Sequence, residues 1–277
     1  MRHPSGSGRG RWPRSLHEHR TRQSNEAPEW AVHVQGVAFA EDWWFVTQEQ
    51  RLWRFPAAGD VGDADGELVR SVGIPVPGID HFGDCDYWDG RVYVAMEGSN
   101  PARVGVFDTD LDFIGSAPVA DQGTSNPWCA VDPITGRLFS SPFDTDHLVS
   151  YELCVDGREV SLGSSQVVGL RGVDGAPLAL RRVQGGAFTP DGRLYLTVDS
   201  RDSGIVGVDV DTGRRMLAHR IEREQGWPDF HVVEGLAYRA FADHRTAGID
   251  GQLHVLVFNG AWEKPDFLWF RHYREQY

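Results

Sequence analysis

The residues of this chain best suited to chemistry are three histidines that stand two to four residues before a glycine, His33, His81 and His231. A histidine beside a carboxylate is a candidate general base, because its pKa lies near neutral pH. The same short segments carry amide and carboxylate side chains, namely Gln35, Asp84, Asn126, Gln184 and Glu234. Carboxylate and amide oxygens are hard ligands for calcium, whereas imidazole suits zinc, iron or manganese.

We expect these side chains to meet at one polar site. His81, His231 and Glu234 are the predicted catalytic residues, with a histidine moving the proton. The predicted ligand-binding residues are His33, Gln35, Asp84, Asn126 and Gln184. The predicted ligands of a divalent cation are Glu234, Asp84 and Asn126, with calcium the first expectation and a transition metal the alternative. Each residue also has a structural interpretation, since a polar group at a strand entry can simply hydrogen-bond a neighbouring loop or strand.

The elements that must position these residues come from an internal repeat. Its clearest unit, QGGAFTPDGRLYLTVDSRDSGIVGVDVDTGRRMLAHRI, begins at Gln184 and predicts four strands near 185–189, 193–198, 204–209 and 214–220. Apolar residues alternate within it, and an Asp-Gly pair marks a hairpin turn. Similar units begin at Gly36, at Gly83, near Asn126 and at Gly235, at a mean spacing of about 50 residues.

Five such units predict an all-β, five-bladed β-propeller, with six blades the structural alternative. The innermost strand of each blade would line the axis, so the histidines and their neighbours would gather at one axial mouth. The last unit lacks an outermost strand, and the segment EWAVHV (29–34) is predicted to supply it and close the ring. We expect 1–28 to be a disordered basic tail and 29–277 to form a single propeller domain.

Charge and composition limit the partners. The chain carries a net charge of −13, and because 1–28 contribute +4, the remainder carries −17 and would repel phosphates. Nucleic acid is therefore not an expected partner. No run of eighteen apolar residues is present, so a membrane is not an expected partner either. Three cysteines without CxxC spacing and no apolar signal stretch favour the cytoplasm. No GxSxG, GxxxxGK[ST] or HExxH motif supports other catalytic machinery.

The unit GGAFTPDGRLYLTVDSRDSGIVGVDVDTGR resembles a blade of the group that includes gluconolactonases, calcium-dependent phosphotriesterases and NHL-type propellers. The gluconolactonase-like pattern of a Glu, an Asn and an Asp around an axial cation implies this role for Gln35, Asn126 and Glu234, with a neutral amide in place of the first acid. The resemblance implies a metal-assisted hydrolase of the lactonase or esterase type acting on a small molecule. The alternative is a non-catalytic propeller that binds a small molecule or a protein on the same face.

Overall fold

A computed structural model of the chain describes 9–24, 33–40, 42–57, 69–98, 101–199, 204–221, 231–240, 251–261 and 264–277. Within these ranges the backbone alone is described for 19–24, 258–261, 264–270 and positions 231 and 272. The described residues are almost entirely β-structure, with one short 3-10 helix at Ala120–Gln122. The described part of the chain contains no helix able to span a membrane.

The strands form five four-stranded antiparallel sheets. Strand β1 (Ser15–Ser24) comes first in the chain and belongs to the last sheet. The first blade contains β2 (Val34–Ala40), β3 (Trp43–Gln48), β4 (Arg51–Pro56) and β5 (Arg70–Gly73). The second blade contains β6 (His81–Trp88), β7 (Arg91–Glu97), β8 (Arg103–Asp108) and β9 (Phe113–Pro118).

The third blade contains β10 (Cys129–Val131), β11 (Arg137–Ser140), β12 (His147–Asp156) and β13 (Glu159–Gly169). The fourth blade contains β14 (Val183–Phe188), β15 (Leu194–Val198), β16 (Gly204–Asp209) and β17 (Arg214–Arg220). The fifth blade has the order β18 (His231–Ala240), β19 (Gly251–Ala261), β20 (Lys264–Gln276), β1. Each innermost strand contacts the next around the ring, including β18 against β2. The five-bladed propeller is therefore confirmed, and the chain does not form six blades in the described residues.

An N-terminal strand closes the ring, as predicted, but the predicted segment 29–34 was wrong. Strand β1 pairs with β20 from Ser15 opposite Gln276 to Ser24 opposite Leu268. Val34, at the end of the predicted segment, instead begins β2 and pairs with Gln48, so it is not available to β20. The rest of the predicted segment, 29–32, lies outside the described residues.

The prediction of a disordered tail over 1–28 is wrong for 9–24, which pack on the ring. The Arg9 guanidinium is largely buried and donates to both carboxylate oxygens of Asp132 and of Asp211 at 2.9–3.2 Å. The Trp12 ring meets the Tyr195 ring edge-on at 5.5 Å. Residues of this segment therefore tie the third and fourth blades together, while 1–8 lie outside the described residues.

A buried ion pair fastens the last strand to the fourth blade. Arg193 and Glu275 are both almost fully buried, and the Arg193 guanidinium donates to the Glu275 carboxylate. The hydroxyl of Tyr277 donates to the same carboxylate at 3.0 Å, and that of Tyr195 does so as well. Strand β20 is thus held by hydrogen bonds to β19 and β1 within its own sheet and by this ion pair to the fourth blade.

Candidate functional site at the axial mouth

Four of the innermost strands carry a β-bulge at the same level of the ring. The pairing register shifts between Val34 and Gly36 in β2, and between Val183 and Gly185 in β14. Equivalent shifts occur between Phe82 and Cys85 in β6, and between Val233 and Leu236 in β18. A bulge leaves a residue out of the regular alternation and re-aims its side chain. The residues in these bulges are Gln35, Gly83, Asp84, Gln184, Glu234 and Gly235.

The glycines of these bulges let the innermost strands approach each other closely at the axis. A Cβ on Gly36 would lie 2.4 Å from the Asp84 Cα, and one on Gly235 would lie 2.4 Å from the Gly36 Cα. A Cβ on Gly185 would lie 2.8 Å from the Gly235 Cα. All three distances are shorter than any tolerable carbon–carbon contact, so only glycine fits at these positions.

Asp84 fills the centre that the glycines leave. Its side chain is fully buried, and its Oδ1 accepts a hydrogen bond from the Val37 N–H at 3.0 Å. Its Oδ2 accepts from the N–H of Gly186 at 3.0 Å and of Leu236 at 3.4 Å. Burial raises the pKa of Asp84 well above its usual value, and backbone N–H groups, including that of Cys85, oppose the rise. Asp84 therefore joins the innermost strands of four blades, and its predicted ligand and metal roles stay predictions.

Asn126 is also fully occupied by contacts inside the ring. Its side chain is buried, and its Nδ2 donates to the Arg103 carbonyl at 2.7 Å. Its Oδ1 accepts from the Ser140 hydroxyl at 2.6 Å, and its backbone N–H donates to the Glu97 carboxylate at 2.7 Å. These bonds fasten the entrance of the third blade to the second, so the structural interpretation explains each of them.

Two of the predicted histidines meet at the mouth between the first and second blades. The Nδ1 of His33 lies 3.1 Å from Glu49 Oε2, and the Nδ1 of His81 lies 3.9 Å from Glu49 Oε1. The Nε2 of His81 lies 3.2 Å from the Gln35 Oε1. Both imidazoles are partly exposed, and the Glu49 side chain is 41% exposed. His33, His81 and Gln35 therefore come together around a carboxylate, which is an arrangement suited to proton transfer.

Glu49 is a site residue that the sequence interpretation missed. It lies in the hairpin turn between β3 and β4. Acidic side chains are common in turns, where they usually face solvent and bind nothing. The signal that could have found it is positional. Glu97 at the end of β7 and Asp199 after β15 hold the same place in their blades. Both of those carboxylates also bond the loops that precede innermost strands.

Glu234 is the most unusual side chain of the mouth. It is 1% exposed, and its Oε1 has no hydrogen-bond partner among the described residues. Burial raises the pKa of Glu234 well above its usual value, the charge of Asp199 raises it further, and the Arg182 guanidinium opposes the rise. The hydroxyl of Thr197 donates to the Glu234 backbone carbonyl at 2.6 Å and fixes the bulge. Glu234 is thus a buried carboxyl group that holds its proton more tightly than usual.

An ion pair stands beside Glu234. The Arg182 guanidinium lies 2.8 Å from Asp199 Oδ2, while Asp199 Oδ1 accepts from the Val233 N–H at 3.3 Å. Arg182 has a positive φ of 57°, and its backbone N–H donates to Asp144 Oδ1 at 2.9 Å. The two charges of the pair act in opposite directions on Glu234, because Asp199 raises its pKa and Arg182 lowers it.

The structure says less about two further predicted residues, Gln184 and His231. Gln184 is half-buried in the bulge of β14, and its side chain has no hydrogen bond to the described residues. His231 begins β18, but its side chain lies outside what the structure describes. Around the ring, the bulge residues of β14, β18 and β2 are consecutive, so Glu234 lies on the strand between those of Gln184 and Gln35.

The described side chains offer a poor fit to a divalent cation. Among them there is no group of three or more His, Cys, Asp or Glu side chains placed to hold a metal ion. Both oxygens of Asp84 and the amide oxygen of Asn126 already accept hydrogen bonds. A bound calcium or transition-metal ion therefore stays a prediction that metal analysis of the purified protein can test.

Comparison with solved structures shows the fold. A glutaminyl cyclase of Myxococcus xanthus matches with a TM-score of 0.60 and 12% identity, over 94% of this chain and 97% of that one. A gluconolactonase of Xanthomonas campestris matches with a TM-score of 0.51 and 12% identity, over 96% and 98%. A Bacteroides thetaiotaomicron protein of unknown function matches with a TM-score of 0.50 and 13% identity, over 92% and 76%.

The resemblance to gluconolactonase-type propellers is thereby confirmed as one of architecture. Identities this low establish a shared fold without a shared activity. No protein-family model matches the chain, and no curated protein matches it.

Proposed function

We propose that the axial mouth binds a small, uncharged polar molecule through a carbonyl oxygen. The observation that carries this proposal is the buried Glu234 carboxyl, whose Oε1 has no partner among the described residues and whose pKa is well above its usual value. A protonated carboxyl group can donate a hydrogen bond, and a buried polar atom without a partner is costly unless a ligand supplies one. A carbonyl oxygen is the complementary acceptor.

The contacts of His81 with Gln35 and Glu49, and the buried Glu234 carboxyl, are the two features that support hydrolysis of an ester or a lactone. In that reaction, His81 accepts a proton from a water molecule as the water oxygen attacks the carbonyl carbon. The Glu234 O–H stabilises the developing oxyanion, the ester C–O bond breaks, and the leaving oxygen takes the proton back from His81. Gln35 and Glu49 orient the His81 ring. The gluconolactonase of the same fold makes a sugar δ-lactone the first substrate to test.

The test measures hydrolysis of glucono-δ-lactone in a pH-stat, with binding of the lactone followed by calorimetry. We expect Glu234→Ala to weaken binding at least tenfold, and His81→Asn to abolish turnover while binding persists. His147→Asn is the matched control, because His147 also pairs with a carboxylate, Asp146 at 2.7 Å, but lies in β12, away from the innermost strands. It should leave both properties unchanged.

The outcomes separate the competing functions. Turnover that Glu234→Ala and His81→Asn leave intact would refute the catalytic assignment. Binding without turnover would favour the non-catalytic propeller. Loss of turnover in chelator, together with a stoichiometric metal in the purified protein, would instead support the metal-assisted hydrolase.

A further inference from the structure

A second cleft lies on the fourth blade, and none of its lining residues belongs to an innermost strand. It is open to solvent on one side, has a volume of about 270 Å³ and lies between 178–181 of the connector 170–181 and the strands β15, β16 and β17. Its apolar walls include Leu178, Leu180, Val198 and Val206. Several of these side chains belong to the core packed between the third and fourth blades. The cleft is therefore a gap at the edge of an otherwise close-packed interface.

The connector that forms one wall is fixed at both ends. Leu180 pairs with Thr145, and each donates its backbone N–H to the other's carbonyl at 2.7–2.9 Å. At the other end, Arg171 donates its N–H to the Gly213 carbonyl and accepts from the Arg215 N–H. Because these bonds hold the wall against blades three and four, the cleft is a preformed cavity, which lowers the entropic cost of binding.

The polar groups of the cleft are cationic or imidazole groups. Arg181, Arg215 and His219 line it, and no Asp or Glu is among its lining residues. The Arg215 Nε is buried and has no hydrogen-bond partner among the described residues. The Arg181 guanidinium has no ion pair or hydrogen bond within the part of the chain that the structure describes. Although Arg181 is exposed and Arg215 is half-buried, these two arginines without acidic neighbours make the cleft locally cationic on a chain with a net charge of −13, and an anion is the complementary ligand.

We propose that this cleft binds a small monocarboxylate with an apolar body, such as an aromatic acid. The carboxylate accepts hydrogen bonds from Arg215 and Arg181, which satisfies the buried Nε, and the planar guanidinium matches the two carboxylate oxygens. The apolar body packs on Leu178, Val198 and Val206. This site is separate from the axial mouth and does not depend on the function proposed there.

Calorimetric titration of the full chain with benzoate tests the proposal, with benzamide as the uncharged analogue of the same shape. We expect benzoate to bind and benzamide to bind at least tenfold more weakly. Arg215→Met keeps the length of the side chain but removes the donors, and it should weaken benzoate binding at least tenfold. Arg220→Met is the matched control, because Arg220 lies on the same strand but outside the cleft.

Ala218→Phe provides a second variant, since it fills the cleft without changing its charge. It should also abolish benzoate binding, while Glu234→Gln at the axial mouth should not change it. Equal binding of benzoate and benzamide, or benzoate binding that survives both Arg215→Met and Ala218→Phe, would overturn the proposal. Absence of benzoate binding to the unaltered chain would overturn it as well.

Discussion

Replacing Asp84 by asparagine changes a single group at the centre of the ring while keeping its shape. In the unaltered chain, Oδ1 accepts from Val37 and Oδ2 accepts from Gly186 and Leu236. Every one of these partners is a backbone donor. An asparagine must turn its NH2 group towards at least one of them, so that donor is left unsatisfied in a fully buried site.

The expected cost follows from these three bonds. If the amide NH2 faces Val37, one charge-assisted hydrogen bond is lost, which costs about 1.5–3 kcal/mol. The two bonds from Gly186 and Leu236 remain but become bonds to a neutral oxygen, at a further cost of about 1 kcal/mol each. The total is about 3–5 kcal/mol, and for a chain of this size, at about 2 °C per kcal/mol, it lowers the melting temperature by about 5–10 °C.

Asp86 supplies the matched control on the same strand. Its Oδ2 accepts from the Val131 N–H at 2.8 Å, and burial raises its pKa to about 7. An amide can keep that bond with its own oxygen, so Asp86→Asn should cost less than about 1 kcal/mol. Scanning calorimetry at pH 7 compares the two variants. If Asp84→Asn has the same melting temperature as the unaltered chain, the carboxylate does not hold the blades together. The prediction that Asp84 binds a ligand or a metal would then be favoured.

Three further changes test the ring and the mouth. Arg9→Ala removes a buried guanidinium and should cost about 2–4 kcal/mol of folding stability. Deleting 1–24 also removes β1, so it should lower the melting temperature further. If the deletion and the intact chain have equal melting temperatures, β1 does not fasten the ring. Arg193→Met strands a buried carboxylate and should cost about 3–5 kcal/mol by urea unfolding, most of it recovered by adding Glu275→Gln. Burial raises the pKa of Glu234 in the folded state, so the unfolded state releases this proton at a lower pH than the folded state does. The free energy of unfolding of the unaltered chain should therefore fall as pH rises above 4.5. Relative to it, Glu234→Gln should gain up to about 1.4 kcal/mol of stability per pH unit. A difference that stays constant from pH 5 to pH 8 would contradict this.

The strands of the fourth blade could be predicted to within two residues because local chemistry determines them. The predicted strand 193–198 is β15 at Leu194–Val198, and the predicted strands 204–209 and 214–220 are β16 and β17. Asp-Gly and Thr-Gly turns separate short runs of alternating residues there, so every local signal agrees. Strand β1 was not predictable in the same way, because SLHEHRTRQS shows no apolar alternation, and Leu16 is its one residue in the described core. Its pairing with β20, more than 240 residues away, has no local signal.

The candidate site was predictable as a location but not as a set of roles. The repeat correctly brings His33, His81 and Gln35 together, because the same position in each blade faces the same mouth. It could not show that the Asp84 carboxylate accepts hydrogen bonds from neighbouring strands, since those partners are backbone N–H groups that converge only after the ring closes. Backbone donors leave no trace in the residue types of a sequence.

The bulges explain why stability and the candidate site share one level of the propeller. Gly36, Gly185 and Gly235 leave no room for a Cβ, and the Asp84 carboxylate fills the remaining space. The function proposed for the mouth therefore rests on the bulge residues that flank this close-packed centre. In three consecutive blades those are the bulge residues of β14, β18 and β2, two amides and the buried acid Glu234. Burial raises the pKa of that acid well above its usual value, so the set favours less negative charge than an exposed carboxylate would bring, which is the reason for proposing a neutral polar ligand there.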